Sequence, residues 1–133
     1  MSKLRCKCGH VIVDQADSLP YKAGLLRDEA ENIYWDEFHR EIKNFVAAAE
    51  SGDLTALMAN VCREVPWIHA SDYLLDRLTS IHARQLTTVY ECKGCGRLWL
   101  DKEAGTRFIP YAPEDDGYRA ILSIAPGESD NRD

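Results

Sequence analysis

The spacing of hydrophobic residues changes twice along the chain and divides it into three stretches. Residues 4–13 hold two short hydrophobic runs around a turn, and the second run, Val11-Ile12-Val13, is β-branched. Such a pattern favours a short β-hairpin. From about Asp28 to Ser51 the hydrophobic residues recur at helical spacing. Residues 86–111 return to short β-branched and aromatic runs, so we predict strands at both ends and helices between them.

The central stretch predicts about three helices. Gly52 follows the first helix, where a glycine commonly ends a helix in the left-handed conformation. Asp53 is placed to cap a second helix that ends before Pro66, and a third helix follows over the Leu74–Ile81 region. The predicted inward face of the first helix comprises Tyr34, Phe38, Ile42, Phe45 and Ala49, widened by Ile33, Trp35 and Val46.

These patterns predict an α+β fold within a single domain. Residues 1–14 and 86–125 are assigned to a small antiparallel sheet that both chain ends build, and residues 15–85 to a helical insertion. Residues 126–133 are polar and are predicted to be a disordered tail. A length of 133 residues suits one domain with one core.

Composition restricts the location and the partners. No apolar run reaches the roughly 20 residues that a membrane span needs, and the first residues lack the apolar stretch of a secretory signal. We therefore expect a cytoplasmic protein without a membrane partner, in which thiols stay reduced. The net charge of −6 and the isoelectric point near 5.2 argue against nucleic acid as the main partner.

Four cysteines stand in two pairs, Cys6 with Cys8 and Cys92 with Cys95, and a glycine follows each pair. A C-x-x-C turn can direct two sulfurs at one ion, and the glycine permits the positive φ that this bend needs. The first pair is one residue tighter, so its sulfurs converge only if the chain turns sharply between them. Buried unligated thiols or a redox pair are the alternatives, but no βαβ pattern surrounds the C-x-x-C pair.

The two cysteine turns resemble the paired knuckles of zinc-ribbon and rubredoxin-like proteins. The resemblance covers Arg5–His10 and Glu91–Arg97 with their flanking strands. It implies one tetrahedral metal site, with His10 as a reserve ligand and with four cysteine ligands: Cys6, Cys8, Cys92 and Cys95. Four thiolates select zinc or a single iron, and we expect structural Zn²⁺ because no other feature suggests electron transfer.

The sequence also predicts that the protein is not an enzyme. His39 lies on the first helix among acidic residues without an H-E-x-x-H pattern, and His69 and His82 have no serine or cysteine that the sequence pairs with them. Cys62 lies on the apolar face of the second helix, which favours packing over reactivity.

The first helix is strongly acidic, with seven carboxylates between Asp28 and Glu50 against two basic residues. A solvated face explains this charge, and so does a surface for a basic protein partner. The residues predicted to bind that partner are Trp35, Asp36, Glu37 and Glu41. In size, acidity and lack of catalytic residues the chain is similar to the immunity proteins that bacteria encode against polymorphic toxins. That likeness implies inhibition of a basic toxin domain.

A second hypothesis uses the basic residues around the cysteines. Some zinc ribbons touch phosphate through such a patch, and here it comprises Lys3, Lys7, Lys93 and Arg97. Binding to DNA or RNA with a steep salt dependence would distinguish this role from protein binding.

Overall fold

The chain forms two compact units in a computed structural model that describes residues 2–61, 68–103, 105–115, 117 and 119–124. Met1–Leu25 and Thr87–Asp133 make the first unit, here called the sheet unit. Leu26–Leu86 make the second, here called the helical unit. The described residues before Leu26 and after Leu86 therefore belong to one unit.

Strands form two small sheets. In the first, β1 (Ser2–Arg5) pairs antiparallel with β2 (Val11–Asp14), so that the N-terminal hairpin is a sheet by itself. The second has the order β3-β4-β5-β6, and its bounds are Lys22–Leu26, Leu86–Glu91, Leu98–Asp101 and Phe108–Tyr111. The predicted α+β class is confirmed. The structure adds that the two chain ends build two sheets, and not one.

Strand β3 lies among the residues that the sequence assigns to the helical insertion. Its residues, Lys-Ala-Gly-Leu-Leu, lack the β-branched and aromatic residues that mark a strand. The segment is a strand because it pairs with β4. Just before β3, the backbone N–H of Glu91 donates to the carbonyl of Tyr21 at 2.8 Å. Strand formation here depends on a tertiary contact, which local propensity does not report.

One hydrophobic core serves both sheets of the sheet unit. Its buried residues come from the hairpin, from β4 and β5, and from the cysteine turns: Cys6, Ile12, Tyr90, Cys92 and Trp99. Leu4, Tyr21, Cys95 and Phe108 pack against them. Because two of the buried residues are thiols, the centre of this core is chemically suited to a metal ion.

A polar network also ties the hairpin to the larger sheet. The hydroxyl of Tyr90 donates to Oδ2 of Asp14 at 2.5 Å, and the ammonium of Lys22 lies 2.6 Å from the same oxygen. The hydrogen bonds from Lys22 and then Tyr90 lower the pKa of Asp14. Burial, followed by the neighbouring carboxylate, raises the pKa of Tyr90, so the phenol stays a donor at neutral pH.

This network predicts an acid-sensitive contribution to stability. The folded-state pKa of Asp14 is below its unfolded value of about 3.9, so its contribution is complete above about pH 5 and is lost as the pH falls through the folded pKa. Asp14→Ala leaves the phenol of Tyr90 without its acceptor and should cost about 1–3 kcal/mol at pH 7. Urea unfolding at pH 7 and pH 3 measures this.

Asp17 lies exposed on the loop after β2, and Asp17→Ala is the matched control. Titration of the other acidic groups affects both variants alike, so the informative quantity is the difference in unfolding free energy between each variant and the wild type. That difference should shrink in acid for Asp14→Ala and stay near zero for Asp17→Ala. Equal unfolding free energies for the two variants at pH 7 would contradict the network's contribution.

The helical unit contains α1 (Asp28–Ser51), α2 (Leu54–Val61) and α3 (Ala70–Gln85). Gly52 ends α1 at φ 83°, and its N–H donates back to carbonyls of the last turn, as the sequence predicts. Helices α1 and α3 pack together and run antiparallel, since Phe45 stacks on Tyr73 whereas Tyr34, three turns earlier, contacts His82. None of the helices among the described residues is both long and apolar enough to cross a membrane.

The buried face of α1 is narrower than the sequence predicts. Ala30 and Tyr34 are buried, but Ile33, Trp35 and Val46 are 52%, 43% and 44% exposed. These three residues lie on the flanks of the stripe, where two neighbouring helices do not cover them. Cys62 and the predicted tail at residues 126–133 lie outside the described residues.

Candidate metal centre

The first cysteine turn joins β1 to β2. The N–H of Cys6 donates to the carbonyl of His10 at 2.8 Å, and the N–H of Gly9 donates back to the carbonyl of Cys6 at 2.9 Å. Gly9 has φ 100°, a conformation that L side chains rarely adopt. These hydrogen bonds close the sharp turn that the short C-x-C spacing requires. The turn carries the sulfurs of both Cys6 and Cys8.

The second cysteine turn repeats this arrangement between β4 and β5. The N–H of Cys92 donates to the carbonyl of Arg97, and the N–H of Gly96 donates to the carbonyl of Cys92, both at 2.8 Å. Gly96 has φ 80°. The positive φ predicted for the glycine after each cysteine pair is therefore present in both turns.

The two turns bring four sulfurs together. All four Sγ atoms lie within 4.8 Å of one another, with 3.6 Å between those of Cys6 and Cys95 and 3.5 Å between those of Cys8 and Cys92. These distances are too long for a disulfide, whose sulfurs are about 2.05 Å apart. Four sulfurs around zinc at about 2.3 Å would lie about 3.8 Å apart. The spacing therefore fits one tetrahedral ion. In each of the two close sulfur pairs, one sulfur comes from the first turn and the other from the second.

Burial differs among the four cysteines. Cys6 and Cys92 are fully buried at 2% and 1% exposure, Cys95 is half-buried and Cys8 is exposed. An ion here would have the protein core on one side and solvent near Cys8 on the other. An ion bound by all four sulfurs would have no coordination position left for a substrate.

Hydrogen bonds to sulfur surround the cluster. The indole N–H of Trp99 lies 3.4 Å from Sγ of Cys6, and the guanidinium of Arg97 lies 3.2 Å from Sγ of Cys95. Burial raises the pKa of the Cys6 thiol, but the backbone N–H of Cys8 and the indole outweigh this and lower it below its ordinary value. Burial raises the pKa of Cys92. Neighbouring thiolates oppose one another's ionisation, and a divalent cation removes that conflict.

Five cations close to the cysteines in the sequence differ in what they contact. Arg97 bonds directly to a sulfur, Arg5 donates to the carbonyl of Gly9 at 3.4 Å, and the ammonium of Lys93 lies 4.8 Å from the ring centre of Tyr21. Lys7 is exposed within the first turn, and Lys3 is exposed on β1. Of these five, Arg97 offsets thiolate charge most directly.

Gly94 makes a close approach that the sequence did not signal. A Cβ at this position would lie 3.2 Å from Sγ of Cys8 and 3.3 Å from Cβ of His10. Gly94→Ala should therefore displace a ligand atom and weaken metal binding about ten- to a hundredfold, as changes beside metal ligands do. Competition against a chromophoric chelator measures this affinity.

Gly117→Ala is the matched control, because a Cβ there meets nothing closer than 3.9 Å. It should bind metal as the wild type does. An unchanged affinity in Gly94→Ala would show that the sulfurs tolerate the added methyl group, against the geometry described here.

The sulfur cluster found among the described residues includes none of the four histidines. His10 is exposed, and the metal-competent group found among the described residues contains the four cysteines without it. In the helical unit, His82 contacts the Tyr34 hydroxyl at 3.3 Å through Nδ1, and His39 lies beside the Trp35 ring. His69 precedes α3 as its N-cap residue.

The residues predicted to bind a partner fall into two classes. Trp35 and Asp36 are exposed on α1. Glu37 and Glu41 instead form ion pairs with α3, at 3.1 Å to Arg84 and 2.8 Å to Arg77. The hydrogen bond from Arg77 also lowers the pKa of Glu41. These two carboxylates therefore contribute to helix pairing, whatever else they bind.

The burial of two residues near the cysteines was not predicted from the sequence. Trp99 was predicted only as part of a strand, and its bond to Cys6 depends on a contact 93 residues away. Glu91 precedes the second turn and is buried at 3% exposure, although an acidic residue in a strand signals a solvent-facing position. In both cases the burial depends on contacts with residues distant in sequence, which the local sequence pattern does not report.

Comparison with known proteins gives a family and no function. Residues 2–115, which include all four clustered cysteines, match the family model described as a domain of unknown function, DUF8617. No curated protein and no solved structure matches the chain. Because the match spans most of the sequence, the chain belongs to the DUF8617 family.

Proposed function

We propose that the sheet unit holds one structural Zn²⁺ ion through Cys6, Cys8, Cys92 and Cys95. The observation that carries this proposal is the grouping of their four Sγ atoms within 4.8 Å. The ion would link the N-terminal hairpin to the larger sheet, since each turn contributes two ligands. Zinc bound in this way supplies folding energy and no reaction.

The choice of zinc over iron is based on the lack of any feature for electron transfer among the described residues. Both metals accept four thiolates in a tetrahedron. A tetrathiolate site with divalent zinc or iron carries a formal charge of −2, which Arg97, hydrogen-bonded to Sγ of Cys95, would partly offset for either metal. An iron site would serve electron transfer, and none of the described residues suggests a redox partner.

Elemental analysis tests this proposal. The purified wild-type protein should contain one zinc per chain, and Cys8→Ser and Cys92→Ser should each lose it. Cys62→Ser is the control, because the sequence predicts that this fifth cysteine packs on α2, and it should keep the metal. One iron per chain would show that the site binds iron and not zinc. A wild-type protein without bound metal would refute the proposal.

We further propose that the protein is a non-catalytic binding module for a basic protein partner, and that it acts as an immunity protein against a bacterial toxin. The net charge of −6 and the concentration of carboxylates on α1 support this role. Trp35 adds an exposed aromatic side chain, which is the kind of anchor that dominates many interfaces. Asp36 lies beside it on the exposed surface of the helix.

The experiment must separate partner contacts from helix pairing. Reversal at Glu37 or Glu41 would break an ion pair with α3, so Trp35→Ala and Asp36→Lys are the informative variants. Capture of a basic toxin domain should weaken in both, and Glu50→Lys, exposed near the other end of α1, is the charge-matched control.

Equal capture by all variants would reject this surface. Capture of DNA or RNA, lost with rising salt and in Lys93→Gln, would favour the nucleic-acid hypothesis in its place.

A further inference from the structure

A cavity of about 240 Å³ lies in the sheet unit beside the second cysteine turn. One wall is Pro20 and Tyr21, before β3; a second comprises Cys92, Lys93 and Gly96. The third is the turn at residues 119–123. None of these residues belongs to the surfaces discussed above for protein recognition.

A buried carboxylate fixes the third wall. Glu91 is 3% exposed, and its two oxygens accept the backbone N–H groups of Ile121 at 3.3 Å and Leu122 at 3.2 Å. Ala120, just before them, has φ 53°, which is unusual for a residue with a Cβ. Glu91 thus holds the turn in place, and both of its oxygens are already occupied by backbone donors.

The lining is mainly apolar, and it carries cations as well as acidic groups. The ring of Tyr21 and the side chains of Pro20 and Ala120 supply apolar surface. Lys93 and Arg119 bring two cations to a lining that also contains the Glu91 carboxylate and the Cys92 sulfur, a proposed metal ligand. The ammonium of Lys93 lies over the Tyr21 ring, and Arg119 donates to the Lys93 carbonyl at 3.4 Å. A cation would find no available carboxylate oxygen here, whereas an anion meets the ammonium of Lys93.

We propose that this cavity binds a small organic acid with an apolar, ring-sized body and one carboxylate, which pairs with Lys93. Its volume is below the roughly 300–1,000 Å³ of pockets for drug-sized ligands, which selects a compact ligand. Apolar walls with a few convergent polar groups are the usual composition of such sites. The proposal adds a ligand site to the structural metal and the protein surface.

Fluorine NMR with para-fluorophenylacetate tests this proposal on the metal-loaded full-length protein. The probe signal should shift saturably, and the neutral para-fluorophenylacetamide should bind at least about tenfold more weakly because it lacks the charge-assisted contact. Lys93→Gln should weaken the acid about tenfold. Lys7→Gln removes the same charge from the other cysteine turn and should not.

Metal content measured on both variants shows whether the turns are intact. No saturable shift with the wild type would overturn the proposal, and so would equal binding of acid and amide. Equal affinities for the acid in Lys93→Gln and Lys7→Gln, with metal retained in both, would also overturn it.

Discussion

Cys92→Ser is expected to leave the sheet unit unfolded at 25 °C. Cys92 is the most buried of the four cysteines, and its sulfur lies 3.5 Å from that of Cys8, which the opposite turn supplies. Loss of a structural zinc ion removes free energy on the order of 10 kcal/mol, which is comparable with the whole stability of a small domain, about 5–15 kcal/mol. The hairpin then loses its main link to the larger sheet.

Tryptophan signals measure this loss. Near-ultraviolet circular dichroism should change strongly, because the indole of Trp99 donates to Cys6 at the centre of the cluster. A chelator added to the wild type should reproduce the spectrum of Cys92→Ser, and added zinc should reverse it. A variant that melts cooperatively near the wild-type temperature would contradict a structural role for the metal.

Trp99→Ala is expected to cause the second largest loss, about 3–5 kcal/mol of unfolding free energy. The side chain is buried at 7% exposure, between the hairpin and β4, in the core that contains Ile12 and Tyr90. Its removal leaves a cavity beside the sulfur of Cys6. Trp99→Phe keeps most of the ring volume and loses the N–H···S bond, so it should cost about 1–2 kcal/mol. Denaturant unfolding of zinc-loaded proteins gives both values.

Trp35→Ala is the control for that comparison. Trp35 packs edge-on against Tyr34 in the helical unit but is 43% exposed, so its loss should cost well under half as much as Trp99→Ala. Similar losses for the two alanine variants would show that the core around the cysteines is not the main source of stability.

Features set by local sequence could be predicted closely. Helix α1 has the predicted bounds, Asp28–Ser51, because its apolar period is regular and Gly52 ends it. Both cysteine turns show the positive φ expected at the following glycine, Gly9 and Gly96. The strands around the turns also lie close to their predicted places, since β-branched and aromatic runs mark them.

Features that depend on distant partners could not be predicted. Strand β3 exists because it pairs with β4, and its own residues are poor strand formers. Glu37 and Glu41 read as a solvated or partner-binding face, and only the antiparallel packing of α1 on α3 brings Arg84 and Arg77 to them. The same holds for the indole bond of Trp99 to Cys6, whose partners lie at opposite ends of the chain.

X-ray absorption spectroscopy of the purified protein is the decisive measurement for the proposed tetrathiolate site, because it identifies the metal and counts its ligands in one experiment. The four clustered thiols predict a zinc edge and a first shell of four sulfurs at about 2.3 Å, without nitrogen or oxygen neighbours. A shell with three or fewer sulfurs, or a protein without bound metal, would be incompatible with a site formed by these four cysteines.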